Sequence, residues 1–297
     1  MTGKVMVTGG QGFVGTHLER LLGVEADAPE LDVLDRPTLE AAIASAQPRA
    51  VVHLAAQSSV AASWQDPADA WAVNVLGTVN ILEAVRTGAP AARVLVASTG
   101  EVYGRAEIMP TPESAPVAPI SPYAASKAAA ELACMDYALR GLDIVVTRPF
   151  NIEGPGRDER FAIGSWTRQL ARLEAQGGGV LEVGDLSSER DVTDVRDVCR
   201  AYTLLLEERV EPGTYNVATG RATSLDQIVG ALVSLADCEV QVKQRPERLR
   251  PVEIPRLCGD ASRLRSVTGW QPELTLTETL TDALAEAREA VAAETPA

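Results

Sequence analysis

Lysine is nearly missing from this chain of 297 residues: Lys4, Lys127 and Lys243 stand among 27 basic residues, the rest arginine. Histidine is scarcer, with only His17 and His53, too few for most metal sites, so no bound metal is expected. His53 sits inside the apolar run AVVHLAA and reads as a partly buried strand residue. The four cysteines, Cys134, Cys199, Cys238 and Cys258, have no C-x-x-C spacing. They read as small core residues in a reducing compartment, and no structural zinc is expected. No apolar run approaches 18 residues, which excludes a membrane-spanning helix. The N-terminus passes straight into the strand-like GKVMVTGG without a signal-peptide core, so a cytoplasmic location is expected. The net charge of −14 argues against a nucleic-acid surface, which needs a basic face. Arginines gathered locally can still hold a small anion.

What is present is a regular alternation. The runs VMVTGG, AVVHLAA, RVLVAST and LDIVVTRPFN are short and rich in Val, Ile and Leu, and amphipathic segments such as FVGTHLERLLG and NVLGTVNILEAVR separate them. Such runs imply a parallel sheet covered on both faces, an α/β doubly wound fold. After Asn151 the pattern loosens, with GPG and GGG around a helix near 161–175. RDVTDVRDVCRAYTLLLE then resumes the strand-and-helix style. The last 80 residues hold a helix (SLDQIVGALVSLA), a strand (EVQVKQ), an arginine- and proline-rich loop and a final helix. The expected division is a dinucleotide-binding unit over 1–150, completed by about 190–217, and a smaller lobe over 151–189 and 218–297. Their cleft should lie at the carboxyl ends of the strands.

TGGQGFVGTHL places Gly9, Gly12 and Gly15 directly after the first strand and at the opening of a helix. Glycine there lets the backbone approach a pyrophosphate, and the helix N-terminus offers N–H donors and positive dipole. A dinucleotide is therefore the expected cofactor. Glu25, Asp27 and Glu30 are candidates for its adenosine ribose. No arginine lies between Arg20 and Arg36 to receive a 2′-phosphate, which leans towards NAD over NADP.

One of the three lysines lies in SPYAASKAAAELA, four residues after Tyr123, a spacing that puts both side chains on one helical face. Ser121 can cap that helix and Pro122 suits its first turn. Together with TGGQGFVG, LDVLD, HLAAQSSV, NVLGT, STGEVYG, RPFN, RDVTDVRDV, YNVATG, LRPVEIP and TGWQP, this segment resembles the extended short-chain dehydrogenase/reductase family of nucleotide-sugar enzymes. The likeness spans nearly the whole chain and is strongest to the GDP-4-keto-6-deoxy-mannose reductases. The resemblance implies a Rossmann-type fold and an NAD(P)-dependent oxidoreductase. It makes Tyr123 the acid or base at the sugar carbon that exchanges hydride. Lys127 would lower the tyrosine pKa and hold the nicotinamide ribose, for which a compact ammonium suits better than a forked guanidinium. Thr99 would bind the reacting oxygen. Gly9, Gly12, Phe13, Val14 and Gly15 would cradle the cofactor, with Asp32 and Val33 at the adenine and Leu54, Ala55, Ala56 and Pro149 beside the rest. Ser58, Asn151, Arg190, Arg250 and Glu253, with Thr99 and Glu101, would hold a nucleotide-diphosphate sugar, GDP-linked by likeness.

Within such a family the residues around Thr99 separate the reactions. In the 4,6-dehydratases a glutamate matching Glu101 removes the C5 proton, and an Asp or Ser before it helps the C6 hydroxyl leave. Gly100 has no side chain for that task, so dehydration is disfavoured. The expected reaction is reduction of a 4-keto group, with 4-epimerisation or 4,6-dehydration as alternatives and a catalytically silent redox sensor as the non-enzyme reading. Where the reductases read asparagine-histidine-isoleucine-glycine-proline-glycine, this chain has Asn151-Ile152-Glu153-Gly154-Pro155-Gly156, which points to Glu153 as a reader of a substrate hydroxyl or amine. Family likeness also implies a homodimer formed by the helices starting near Asn74 and Pro122.

Overall fold

The computed structural model of the chain describes residues 3–23, 31–248 and 254–294. Strand β1 (Val5–Thr8) leads into helix α1 (Phe13–Leu22), and α2 (Arg36–Ala46) into β2 (Ala50–His53). Helices α3 (Val60–Gln65), α4 (Pro67–Trp71) and α5 (Gly77–Gly88) precede β3 (Arg93–Ala97). Helix α6 (Pro122–Leu139) is followed by β4 (Ile144–Pro149), the short β5 (Asn151–Glu153), α7 (Ala162–Gln176), β6 (Gly179–Val183), β7 (Glu189–Asp194), α8 (Val195–Leu205) and β8 (Gly213–Val217). The remainder comprises β9 (Ala222–Ser224), α9 (Leu225–Ser234), β10 (Val240–Gln244), β11 (Arg256–Leu257), α10 (Ser262–Thr268) and α11 (Leu276–Glu294).

Among the described residues the main sheet is parallel, in the order β1, β2, β3, β4, β8. Side chains alternate along each strand, and the alternation sorts them into two cores. Val5, Val7, Leu95 and Val145 face α1 and α8, joined by Leu18, Val198 and Tyr202. Val51, Val94, Val96, Ile144 and Val146 face α2, α5 and α6, joined by Ile43, Ile81 and Cys134. Burial on both faces is why the strands read as continuous apolar runs. A third cluster, with Trp166, Leu170, Leu181, Ile228 and Leu284, is built from α7, β6, α9 and α11. It is flanked by the parallel pair β6–β10 and by a sheet in which β7 lies between β5 and β11 and pairs antiparallel with β9. Among the described residues no helix is long and apolar enough to cross a membrane.

The helix carrying Tyr123 starts as its sequence implies. Ser121 Oγ accepts from the Ala124 N–H at 3.1 Å, Pro122 occupies the first turn, and Ser63 Oγ of α3 accepts from the Tyr123 N–H at 3.1 Å. The helix expected to begin near Asn74 differs. Residues Ala72–Leu76 form a π-helical turn running into α5, and the wide turn leaves Asn74 fully buried. Its side chain donates to Gln57 O at 3.0 Å and Ser126 Oγ at 2.9 Å and accepts from the Gln57 N–H at 2.9 Å. The loop after β2 is thereby tied to α6.

Candidate active site

A cleft of about 1110 Å³ opens at the carboxyl ends of β1 to β4, where doubly wound sheets bind ligands. Its floor at one end is the glycine turn. Gly9 has φ +71°, and a Cβ there would lie 2.7 Å from the Ala55 backbone nitrogen. At Gly15 a Cβ would meet Gly9 O at 2.3 Å and Gly10 O at 2.5 Å, so α1 can sit this close to the turn only without a side chain. Gly12 caps α1 without a side-chain hydrogen bond, leaving first-turn N–H groups for an anion. A bare turn of this width, opening a helix, fits a dinucleotide pyrophosphate.

At the other end Thr99, Tyr123 and Lys127 come together, all nine-tenths or more buried and all lining the cleft with Glu101. The Thr99 hydroxyl stands beside the Tyr123 phenol and favours its ionised form. Lys127 Nζ donates to Ala97 O at 2.7 Å. Burial and the Lys127 charge keep His53 neutral, holding its pKa down to about 3. His53 Nδ1 lies 2.7 Å from Thr8 Oγ1 and Nε2 lies 3.1 Å from Thr78 Oγ1. Thr78 spends its own hydrogen on Asn74 O at 2.6 Å, so Nε2 carries the proton and Nδ1 accepts from Thr8. His53 is a satisfied core residue behind Lys127.

The expected depression of the tyrosine by the lysine is not what the structure contains. Burial first, and then the Glu101 carboxylate, hold the Tyr123 phenol above its ordinary range, against smaller downward pulls from Thr99 and Arg157. The ammonium that was to lower it is directed at a strand carbonyl. Burial in turn lowers Lys127 to about 8, opposed by the Glu131 carboxylate. Tyr123 therefore carries its proton at neutral pH.

Gly9, Gly12, Phe13, Val14, Gly15, Leu54, Ala55, Ala56 and Pro149 all line the cleft, as do Ser58, Asn151 and Arg190. Asp32 and Val33 lie outside its wall, where Leu31 stands instead. Asp32 accepts from the Leu34 N–H at 2.8 Å, and Val33 is buried with its carbonyl bound by Asn80 at 2.9 Å. Arg190 Nη1 donates to the Glu189 and Ile254 carbonyls, each at 2.8 Å, which holds its side chain along the cleft edge. Glu25, Asp27, Glu30, Arg250 and Glu253 lie outside the described residues. Gly100 packs on Phe150, whose ring would stand 3.0 Å from a Cβ, and Gly259 backs the same ring, where a Cβ would lie 2.2 Å away. A side chain at position 100 thus meets a ring with little room to retreat.

Sequence reasoning missed Arg157. Its guanidinium lies 3.6 Å from the Phe161 ring centroid and 4.9 Å from that of Phe13, and it lines the cleft with both rings. Its Nε stands 3.7 Å from Glu153 Oε2, and neither atom has a hydrogen-bond partner. Burial pushes Glu153 up to about 7 despite that arginine. The arginine four residues after Glu153 in GPGR was the signal available.

Comparison with known proteins places this geometry. The family model described as GDP-mannose 4,6 dehydratase matches residues 25–283. The chain belongs to this family. Within it and around it the relatives carry different activities in their names. The chain is 37% identical to a GDP-6-deoxy-D-mannose reductase of Pseudomonas aeruginosa, over 94% of this chain and 95% of that protein. It is 33% identical to a UDP-glucose 4-epimerase of Mycolicibacterium smegmatis, over 93% and 95%. The solved structure of RMD from Pseudomonas aeruginosa with NADPH superposes with a TM-score of 0.90 at 35% identity, covering 97% of this chain and all of that one. A Thermotoga maritima UDP-glucose 4-epimerase with UDP-glucose gives 0.86 at 28% identity, over 97% and 99%. The extended short-chain dehydrogenase/reductase resemblance and the Rossmann-type fold read from the sequence stand, and the family's members are nucleotide-sugar enzymes using NAD(P).

Proposed function

We propose that this family member reduces the 4-keto group of a nucleotide-linked 4-keto-6-deoxyhexose, GDP-linked, using NADPH or NADH. The observation that carries the reading is geometric: Thr99, Tyr123 and Lys127, each nine-tenths or more buried, converge in one cleft with the glycine turn. A phenol there can give its proton to a carbonyl oxygen as hydride reaches the carbon. The 37% identity to a reductase over nearly both full lengths supports the same choice, and the bare Gly100 against Phe150 speaks against dehydration.

When bound, the nicotinamide supplies hydride to the carbonyl carbon. Tyr123 gives its phenolic proton to the carbonyl oxygen as negative charge develops there, with Thr99 holding that oxygen. Lys127 contributes positive charge beside the reacting group and a donor for the ribose. Gly9, Gly12 and Gly15 receive the pyrophosphate. The sugar nucleotide is received between the two units, by Ser58 and Arg190 of the dinucleotide-binding unit and by Asn151, Arg250 and Glu253 of the smaller lobe, 151–189 with 218–297. The chain acts as a homodimer, a reading supported by α6, where Leu132, Met135 and Leu139 are 67%, 64% and 90% exposed at helical spacing on one face, with Leu76 nearby in sequence to α5 at 51%.

The test is nicotinamide absorbance with a panel of GDP- and dTDP-linked 4-keto sugars, together with mass spectrometry of the purified protein. Consumption of one NAD(P)H per GDP-4-keto sugar, by protein that carries no retained dinucleotide, is expected. Tightly held NAD with no net oxidation would replace the reductase by an epimerase or dehydratase. No response to any sugar would favour a silent dinucleotide binder.

A further inference from the structure

Behind the cleft floor lies a buried polar network that the chemistry above does not touch. Arg148 of β4 and Glu131 of α6 are 6% and 7% exposed. Arg148 Nε donates to Glu131 Oε1 at 3.0 Å, and Nη2 to Oε2 at 2.6 Å. Ser98, at the end of β3, donates its hydroxyl to the same carboxylate. Arg148 Nη1 donates to the Tyr103 hydroxyl at 2.9 Å, which in turn donates to Asn216 Oδ1 on β8 at 2.7 Å.

Ser98 in this network itself lines the cleft, and Tyr103 stands two residues from Glu101, which does too. Ser98 precedes Thr99, and Tyr103 closes the short helical turn Gly100–Tyr103 that carries Glu101. Glu131 lies four residues past Lys127 and eight past Tyr123, on the face of α6 that all three share. Apolar residues of the same volume often replace a buried ion pair at no loss of stability. A pair whose hydrogen bonds reach the segments that carry Thr99, Glu101, Tyr123 and Lys127 points instead to placement.

We infer that the Glu131–Arg148 pair is a positioning device, which sets Thr99 and the turn of Glu101 against the Tyr123–Lys127 face of α6. This rests on the catalytic roles proposed above. Two sets of measurements test it. In the double variant Glu131→Gln with Arg148→Met, which removes both charges and keeps the volumes, kcat should fall about ten- to a hundredfold while the sugar KM holds. In Glu131→Gln alone, Lys127 loses the carboxylate that favours its charged form. Among the described residues, His53 from β2 and Cys134 from its own helix are the other titratable groups that interact with it. Lys127 is one of only three lysines, so competitive acetylation read by mass spectrometry follows it directly, and its titration midpoint should move to lower pH. The labelling needs no substrate, so it holds even where the wild type turns over no sugar, an outcome that strikes the proposed function alone. Variants that melt like the wild type, keep kcat within about twofold and leave the labelling curve unmoved would overturn the inference. Where these variants do not fold, Ser98→Ala with Tyr103→Phe cuts the same links, with the same kcat loss expected and unchanged turnover refuting it.

Discussion

Replacing Gly15 by alanine adds one methyl where the structure has least room. Its Cβ would stand 2.3 Å from Gly9 O, 2.5 Å from Gly10 O and 2.6 Å from Gly10 Cα. All three are backbone atoms of the turn that faces the cleft, so no flexible side chain can yield. Ordinary contact begins near 3.4 Å, and α1 must therefore back away from β1 by about 1 Å or the turn must open. Overpacking of this kind costs about 1–3 kcal/mol, and the cost falls on the surface that meets the pyrophosphate. The expected outcome is a melting temperature lowered by about 3–10 °C and a dinucleotide affinity weakened by about tenfold or more, measured by fluorescence titration with NADPH and NADH. Gly23→Ala is the control: φ there is +61° with nothing within 4 Å, so it should cost backbone strain of about 1 kcal/mol and leave affinity unchanged. Equal affinity in Gly15→Ala and wild type would refute the reasoning.

Further outcomes follow from the same structure. Glu153 is raised from 4.5 to about 7 by burial, so the folded protein binds more protons than the unfolded chain between those values. This group alone then removes about 3 kcal/mol of stability as pH rises from 4.5 to 7. Glu153→Gln should flatten the decline in melting temperature between pH 5 and pH 8, and an unchanged slope would count against the burial argument. Lys127, lowered to about 8, should lose its charge above that pH, so the turnover that needs the ammonium should fall on the alkaline side, and a flat profile to pH 10 would contradict it. Leu132→Asp with Met135→Asp places charges in the exposed stripe of α6 and should give a monomer by light scattering. A dimer surviving both would remove that face as the interface.

Much of the fold was legible because burial on both faces writes itself as unbroken Val/Ile/Leu runs, and the glycine turn because backbone clearance admits no other residue. Tyr123 and Lys127 were legible through local helical spacing. What escaped was non-local. The pairing of β6 with β10 joins segments about 60 residues apart, and Arg157 reaches Phe13 across the cleft. Glu131 is an ordinary helix-face acid until Arg148 is folded against it. The π-helical turn around Asn74 leaves no mark in the apolar pattern. Nor does the local spacing name the burial and the Glu101 carboxylate that push the Tyr123 phenol up.

The most direct measurement is turnover and dinucleotide affinity of Tyr123→Phe, measured side by side with the wild type on a GDP-4-keto-6-deoxy sugar. A buried phenol that serves as the proton donor predicts a loss in kcat of about a hundredfold or more with affinity for the dinucleotide kept. Turnover within a few fold of wild type would contradict it.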